Sequence, residues 1–246
     1  MGASNPMISR ALQESLERIR RKMENIRFKI AVMSGKGGVG KSMVSTNISV
    51  AFSLMGFKTA ILDSDFHGPS IPKMLGVEGA ELVFDNGFKL VETKYGVSVI
   101  SIGFLLDEKT PVIWRGPMKA NALRQFLSDV NWGELDFLVI DLPPGTGDEA
   151  LSVAQLIPGI SGAIIVSIPS DVSRVVVERS VSFARKLDVP VLGIIENMSY
   201  FKAPDTGKIY YIFGKGGGRR IAEEMNVPFL GEIPIDPRMA TTCDEG

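Results

Sequence analysis

The sequence predicts one α/β domain built on a doubly wound, mostly parallel sheet with helices on both faces. Three observations predict it. Short runs rich in Val, Ile and Leu alternate with helical stretches from Phe28 onward, and runs apolar on both faces need cover on both sides, which a βαβα order supplies. A glycine-rich turn joins the first run to the first helix after it. With 246 residues, 45% hydrophobic and 22% charged, the chain can bury a large core, and its single cysteine leaves no intrachain disulfide to staple it.

Residues 8–26 set Ile8, Leu12, Leu16, Ile19, Met23 and Ile26 at spacings of three and four, with Glu and Arg between them. That is an amphipathic helix, read as packed on the domain or on a neighbouring subunit, with partner or membrane binding as the alternative. It divides the chain into an N-terminal helix, 1–27, and a domain, 28–246. Strands are expected at 29–33, 58–63, 97–102, 136–141, 162–168 and 191–197, and helices near 41–55, 117–129, 148–157, 171–187 and 215–225. Asp85-Asn86-Gly87, between two short apolar segments, predicts a hairpin turn.

A formal net charge of −1 gives no global attraction for nucleic acid or an anionic membrane. No apolar run reaches the roughly 18 residues that span a bilayer, and the N-terminus shows neither an apolar core run nor a small-residue cleavage site. A cytoplasmic protein that binds neither membrane nor nucleic acid is expected. Cys243 alone cannot build a Cys-rich metal site.

The strongest chemical signal is Ser34-Gly35-Lys36-Gly37-Gly38-Val39-Gly40-Lys41-Ser42, which satisfies Gly-x-x-x-x-Gly-Lys-Ser between a strand and a helix. Glycines let successive N–H groups face phosphates, the helix N-terminus adds positive potential, Lys41 can reach the β and γ oxygens, and Ser42 can ligate Mg²⁺. The same residues spell Gly35-x-Gly37-x-x-Gly40 with Asp63 ending the next strand, the pattern of a dinucleotide-binding turn and of a nicotinamide-dependent oxidoreductase. Lys41-Ser42 and Asp141, which ends a later apolar strand as a magnesium-shell acid does, favour ATP and a P-loop.

Asp63 and Asp65 stand two apart at a strand's carboxyl end, where both project toward the crevice above the sheet. Asp63 is assigned to the metal side with Ser42 and Asp141, and Asp65 to the attacking water. Lys36, Lys41 and Asp65 form the expected catalytic set. Asp141-Leu142-Pro143-Pro144-Gly145-Thr146-Gly147-Asp148 has the rigidity and the glycines of a γ-phosphate-sensing switch, with Asp148 capping the helix behind it. His67, in a Gly-Pro turn beside Asp65, reads as structural. Gly214-Lys215-Gly216-Gly217-Gly218-Arg219-Arg220 reads either as a second anion nest or as a flexible loop.

Taken together these motifs resemble a known family. Lys36-Gly37-Gly38-Val39-Gly40-Lys41-Ser42 is similar to the deviant Walker A of MinD/ParA-like ATPases. Residues 63–76, 111–118, 141–148, 196–201, 212–218 and 231–237 look like the Mrp/ApbC branch of ATP-dependent iron–sulfur cluster carriers. The likeness runs from about residue 28 to the C-terminus. It implies a slowly hydrolysing Mg²⁺-ATPase that forms a homodimer, with Lys36 crossing to the partner's nucleotide. It further implies that Asn197 contacts adenine, that Pro234 and Ile235 line the base pocket, and that apo iron–sulfur proteins receive the cluster. On their own residues, Asn197 reads as a strand-end polar side chain and Pro234 as a loop residue.

One departure stands out. Where that branch carries Cys-Pro-x-Cys after Ser-Tyr-Phe and one further residue, this chain has Lys202-Ala203-Pro204-Asp205-Thr206. A [4Fe–4S] cluster takes four thiolates, and Ala203 and Thr206 supply none. A chain that kept the ATPase and lost the cluster, one that holds metal differently, and one altered at these positions all remain open. So does the second function class, a MinD/ParA-like switch that dimerises on ATP to position a protein, membrane or DNA. The end at Thr242-Cys243-Asp244-Glu245-Gly246 falls where relatives continue into a further helix, so a truncated tail is expected.

Overall fold

The computed structural model describes residues 6–66, 68–105, 116–170 and 173–246. His67, most of the 111–118 motif and the first two residues of the 171–187 helix lie outside them.

The chain opens with α1 (Pro6–Glu24) and β1 (Ile26–Met33), then α2 (Lys41–Leu54), β2 (Thr59–Asp63) and the short α3 (Ile71–Met74). Two-residue strands β3 (Phe88–Lys89) and β4 (Val91–Glu92) precede β5 (Val97–Ser101). Next come α4 (Gly116–Asp129), β6 (Val130–Asn131), β7 (Leu135–Asp141), α5 (Asp148–Leu156), β8 (Gly162–Ser167) and α6 (Ser173–Lys186). β9 (Val191–Lys202), β10 (Ile209–Tyr210), α7 (Gly217–Glu224), β11 (Phe229–Ile235) and α8 (Pro237–Glu245) complete it.

A nine-stranded sheet runs β10-β9-β8-β1-β7-β2-β5-β4, with β11 on the outer flank of β9. Only β4 and β10 pair antiparallel in it. β1 takes the centre, between β7 and β8, so its C-terminal end and the turn after it open onto the middle of the sheet. Alternation along the strands feeds two faces. Val32, Ile61 and Val139 pack beneath α2 and α3 with Val44 and Ile71, whereas Ala31, Leu62 and Leu138 face α1, α4 and α5 with Met23, Phe126 and Val153. Ile165 and Ile194 continue the second face under α6 and α7.

The N-terminal helix docks on its own chain. Ile19 and Met23 are buried against α4, each contributing about 1.5–3 kcal/mol. Two lysines seal helix ends as C-terminal caps do. Lys22 Nζ donates to the Ser128 and Val130 carbonyls at the end of α4, and buried Lys29 Nζ donates to Met23 O and Ile26 O at the end of α1. The helix stops at Glu24 rather than 26, because Ile26 already pairs with Leu135 in β1, so the sheet begins before residue 28.

The hairpin turn forms: Phe84 and Phe88 bridge antiparallel, and Asn86 and Gly87 take φ of 52° and 138°. Its second arm is then shared out, β3 joining β6 and β4 joining β5. Pro234, expected in a loop, lies in β11, an edge strand that tolerates a residue without an N–H. β9 runs five residues past Asn197, so that residue is mid-strand.

Candidate nucleotide site

The turn from β1 to α2 wraps the N-terminus of α2, where Gly40 takes φ 81°. Two neighbours dictate its glycines. A Cβ on Gly40 would stand 2.2 Å from Asn197 Nδ2, and one on Gly35 would stand 2.1 Å from Val176 Cγ1 of α6. Asn197 is buried, and its Nδ2 donates to the Val39 carbonyl at 2.8 Å. Ser34 Oγ donates to Lys36 O, and Gly145 N–H, from the proline-rich loop after β7, donates to Ser34 O at 2.8 Å. The loop is thus pinned from β9, α6 and the expected switch.

Asp141 is the hub. Fully buried at the end of β7, it accepts from Lys41 Nζ at 2.5 Å and Ser42 Oγ at 2.6 Å on Oδ2, and from Ser45 Oγ at 2.5 Å on Oδ1. Ser64 Oγ holds its backbone carbonyl at 2.7 Å. The Lys41 ammonium neutralises the carboxylate, which the interior otherwise penalises heavily.

Asp63 is Asp141's register partner on the neighbouring strand and is equally buried. Its Oδ2 accepts from Ile71 N–H and Ser101 Oγ, and its Oδ1 from Asp65 N–H. These bonds do not offset desolvation and the nearby Asp141 charge, which together push its pKa up to about 7. Two adjacent buried carboxylates and a serine hydroxyl form a hard-oxygen donor set that suits Mg²⁺.

A cleft of about 230 Å³ opens between the loop and the segment that follows β2, lined by Gly38, Lys41, Ser42, Asp65, Ser70 and Pro144 among others. The structure therefore gathers Lys41, Ser42, Asp63, Asp65 and Asp141 at one end of the sheet. Lys36 is half-buried at the loop's rim. Pro234 and Ile235 stand one strand further out, beside Asn197's partner Ile233.

Two sequence readings need correcting. Asp148 is the first residue of α5, and Gly147 holds the cap position without a side-chain bond. At the start of α7 the N–H of Gly218 is already taken, donating to the buried Glu196 carboxylate at 2.5 Å, so the chain's own acid sits at that helix N-terminus. Ser45, Ser64 and Ser101 escaped sequence reasoning. The signal for Ser45 was a serine four residues beyond Lys41, on the face of α2 turned to the core.

The hairpin between β9 and β10 carries the departure. Ala203 is buried, its N–H donating to Lys208 O, and Thr206 is exposed. Among the described residues no group of three or more His, Cys, Asp or Glu side chains could hold a metal ion, and no helix is long and apolar enough to cross a membrane.

Comparison with known proteins agrees with this geometry. An iron–sulfur cluster carrier protein of Saccharolobus solfataricus is 56% identical over 231 residues, covering 93% of this chain and 78% of the relative. One from Methanocaldococcus jannaschii is 51% identical over 98% of this chain and 84% of its own length. The solved nucleotide-binding protein of Archaeoglobus fulgidus, in complex with ADP, superposes with a TM-score of 0.83 at 43% identity, covering 93% of this chain and 90% of that one. MinD of Pyrococcus horikoshii, at 24% identity and a TM-score of 0.63 over 89% and 86% of the two chains, shares the fold. The family model for ParA-type NUBPL iron-transfer P-loop NTPases matches residues 25–246, and the chain belongs to that family.

Proposed function

We propose that this chain is a cytoplasmic, homodimeric Mg²⁺-ATPase whose nucleotide cycle serves the transfer of iron–sulfur clusters to apo-proteins. The observation that carries the ATPase reading is the convergence of Lys41, Ser42 and Ser45 on the buried Asp141 beneath a glycine-pinned loop. The cluster reading is supported by the names of the relatives.

Phosphoryl transfer asks for positioning and charge neutralisation more than covalent help. The loop N–H groups hold the phosphates, and Lys41 exchanges Asp141 for their oxygens. Ser42, Asp141 and Asp63 are the residues that would hold Mg²⁺, which when bound neutralises charge on the phosphates. Asp65, lining the cleft, orients the attacking water. Lys36 reaches the nucleotide of the second copy, and Asn197, Pro234 and Ile235 frame the base.

The cluster is cargo, and the chain's own thiols do not suffice for it. Cys243 is the sole cysteine, so two copies offer two thiolates where four are needed. The remaining ligands come from the protein that gives or receives the cluster. Anaerobic reconstitution with iron and sulfide tests this, with Ala203→Cys/Thr206→Cys as the comparison. Uptake of a stoichiometric cluster by the double variant alone is expected. A stable cluster on the unaltered dimer would overturn the external-ligand assignment. Failure of an added apo-protein to gain cluster from donor, ATP and this chain would overturn the trafficking role and favour a cluster-free dimerisation switch.

A further inference from the structure

Four groups surround Asp141, and they divide by position. Lys41 and Ser42 line the cleft, whereas Ser45 lies one helical turn deeper with no exposure, and Ser64 binds only the backbone carbonyl. Polyphosphate and a divalent cation compete for the first two. Ser45 Oγ faces Oδ1, the oxygen that Lys41 and Ser42 leave free, at 2.5 Å, and its weaker alternative acceptor is the Lys41 carbonyl at 3.1 Å. A hydroxyl has one proton to give, and a carboxylate is the stronger acceptor.

We propose that Ser45 is a positioning residue for the metal site, fixing the rotation of the Asp141 carboxylate so that Oδ2 stays on the side of the cleft-lining Lys41 and Ser42 after these turn to the nucleotide. The inference rests on the ATPase reading and adds a residue to it. The backbone supports the same conclusion: Ser64 Oγ and N–H both bond the Asp141 carbonyl, so main chain and side chain are each held by a buried serine. Ser45 in turn is fixed along α2, since Ser49 Oγ donates to its carbonyl at 2.8 Å.

The test measures binding of a fluorescent ATP analogue to the full chain in excess EDTA and across a Mg²⁺ titration, for wild type, Ser45→Ala, Ser45→Cys and Ser45→Thr. Cysteine keeps the shape and loses the strong donor, and threonine keeps the hydroxyl. In EDTA all four should bind alike. The Mg²⁺ concentration that half-tightens binding should rise about tenfold or more in Ser45→Ala and Ser45→Cys, the usual effect of removing a group that orients a metal ligand, with Ser45→Thr near wild type. An unchanged Mg²⁺ midpoint in Ser45→Ala overturns the inference while leaving the ATPase reading intact. So does a Ser45→Cys that matches wild type, which would make the role one of packing. A wild type without nucleotide affinity overturns both.

Discussion

Asn197 Nδ2 donates to the Val39 carbonyl across 2.8 Å, joining the middle of β9 to the phosphate loop. Removing the amide leaves a buried carbonyl unpaired, at a cost of about 1–3 kcal/mol. Asn197→Ala should lower stability by that order and weaken ATP binding, and Asn197→Asp, which cannot donate, should be no better. Chemical denaturation and nucleotide titration check both. Wild-type stability in Asn197→Ala would show that the bond holds nothing.

Gly40 has no room for a side chain and a φ that disfavours one. Gly40→Ala must displace Asn197 or break the turn, so nucleotide affinity should fall at least tenfold, about 1.4 kcal/mol. Isothermal titration gives the answer, and an affinity near wild type would mean the loop tolerates the shift.

Lys41 and Lys36 should separate cleanly. Lys41→Ala strips the ion partner from a buried carboxylate, costing about 3 kcal/mol, and should abolish ATP binding. On the proposed homodimer, in which Lys36 acts on the second copy's nucleotide, Lys36→Ala should keep binding and lose hydrolysis. Unchanged turnover in both variants would sink the catalytic assignment.

Asp63 gives the apo-protein a pH dependence of defined sign. Its native pKa is about 7 against an ordinary 3.8, so between these values the folded state holds a proton that the unfolded state releases. The contribution to stability is full below pH 3.8 and is lost as pH rises to about 7, a swing of at most about 4 kcal/mol. Denaturation curves from pH 4.5 to 7.5 should show this loss in wild type and a flatter profile in Asp63→Asn. Parallel profiles would remove the assignment.

Lys29 should anchor α1. Its ammonium caps the Met23 and Ile26 carbonyls from inside the fold, and Lys29→Met leaves both without that donor. A loss of about 2 kcal/mol and faster amide exchange in α1 are expected. Unaltered exchange there would show that Ile19, Met23 and the Lys22 bonds to the end of α4 hold the helix without it.

Much of this was legible in the chain. The apolar runs that became β1, β2, β5, β7, β8 and β9 are buried on both faces, and a strand of that kind has few alternatives to the middle of a covered sheet. Lys41, Ser42 and Asp141 could be read because the cradle needs those residue types at those places. What stayed hidden depends on distant pairing. Glu196 accepting from Gly218 in the first turn of α7, Ser45 meeting a carboxylate 96 positions away and Pro234 entering an edge strand are each set by which strands lie side by side. Local periodicity carries no trace of that. The end of α1 was misplaced because Ile26 satisfies the helical spacing and the strand equally.

β9 passes under the phosphate loop at Asn197 and ends five residues later at Lys202, where the chain turns into the hairpin of Ala203 and Thr206. The strand between them is kinked: Met198 takes φ 56°, and the pairing with β11 slips there, Asn197 and Phe201 facing Ile233 and Ile235. Loop and hairpin therefore lie on opposite sides of a bulge in β9, whose near half alone is paired by β8 as well as by β11. Exchanging residues of the hairpin therefore leaves untouched the doubly paired half of β9 that holds Asn197 against the phosphate loop.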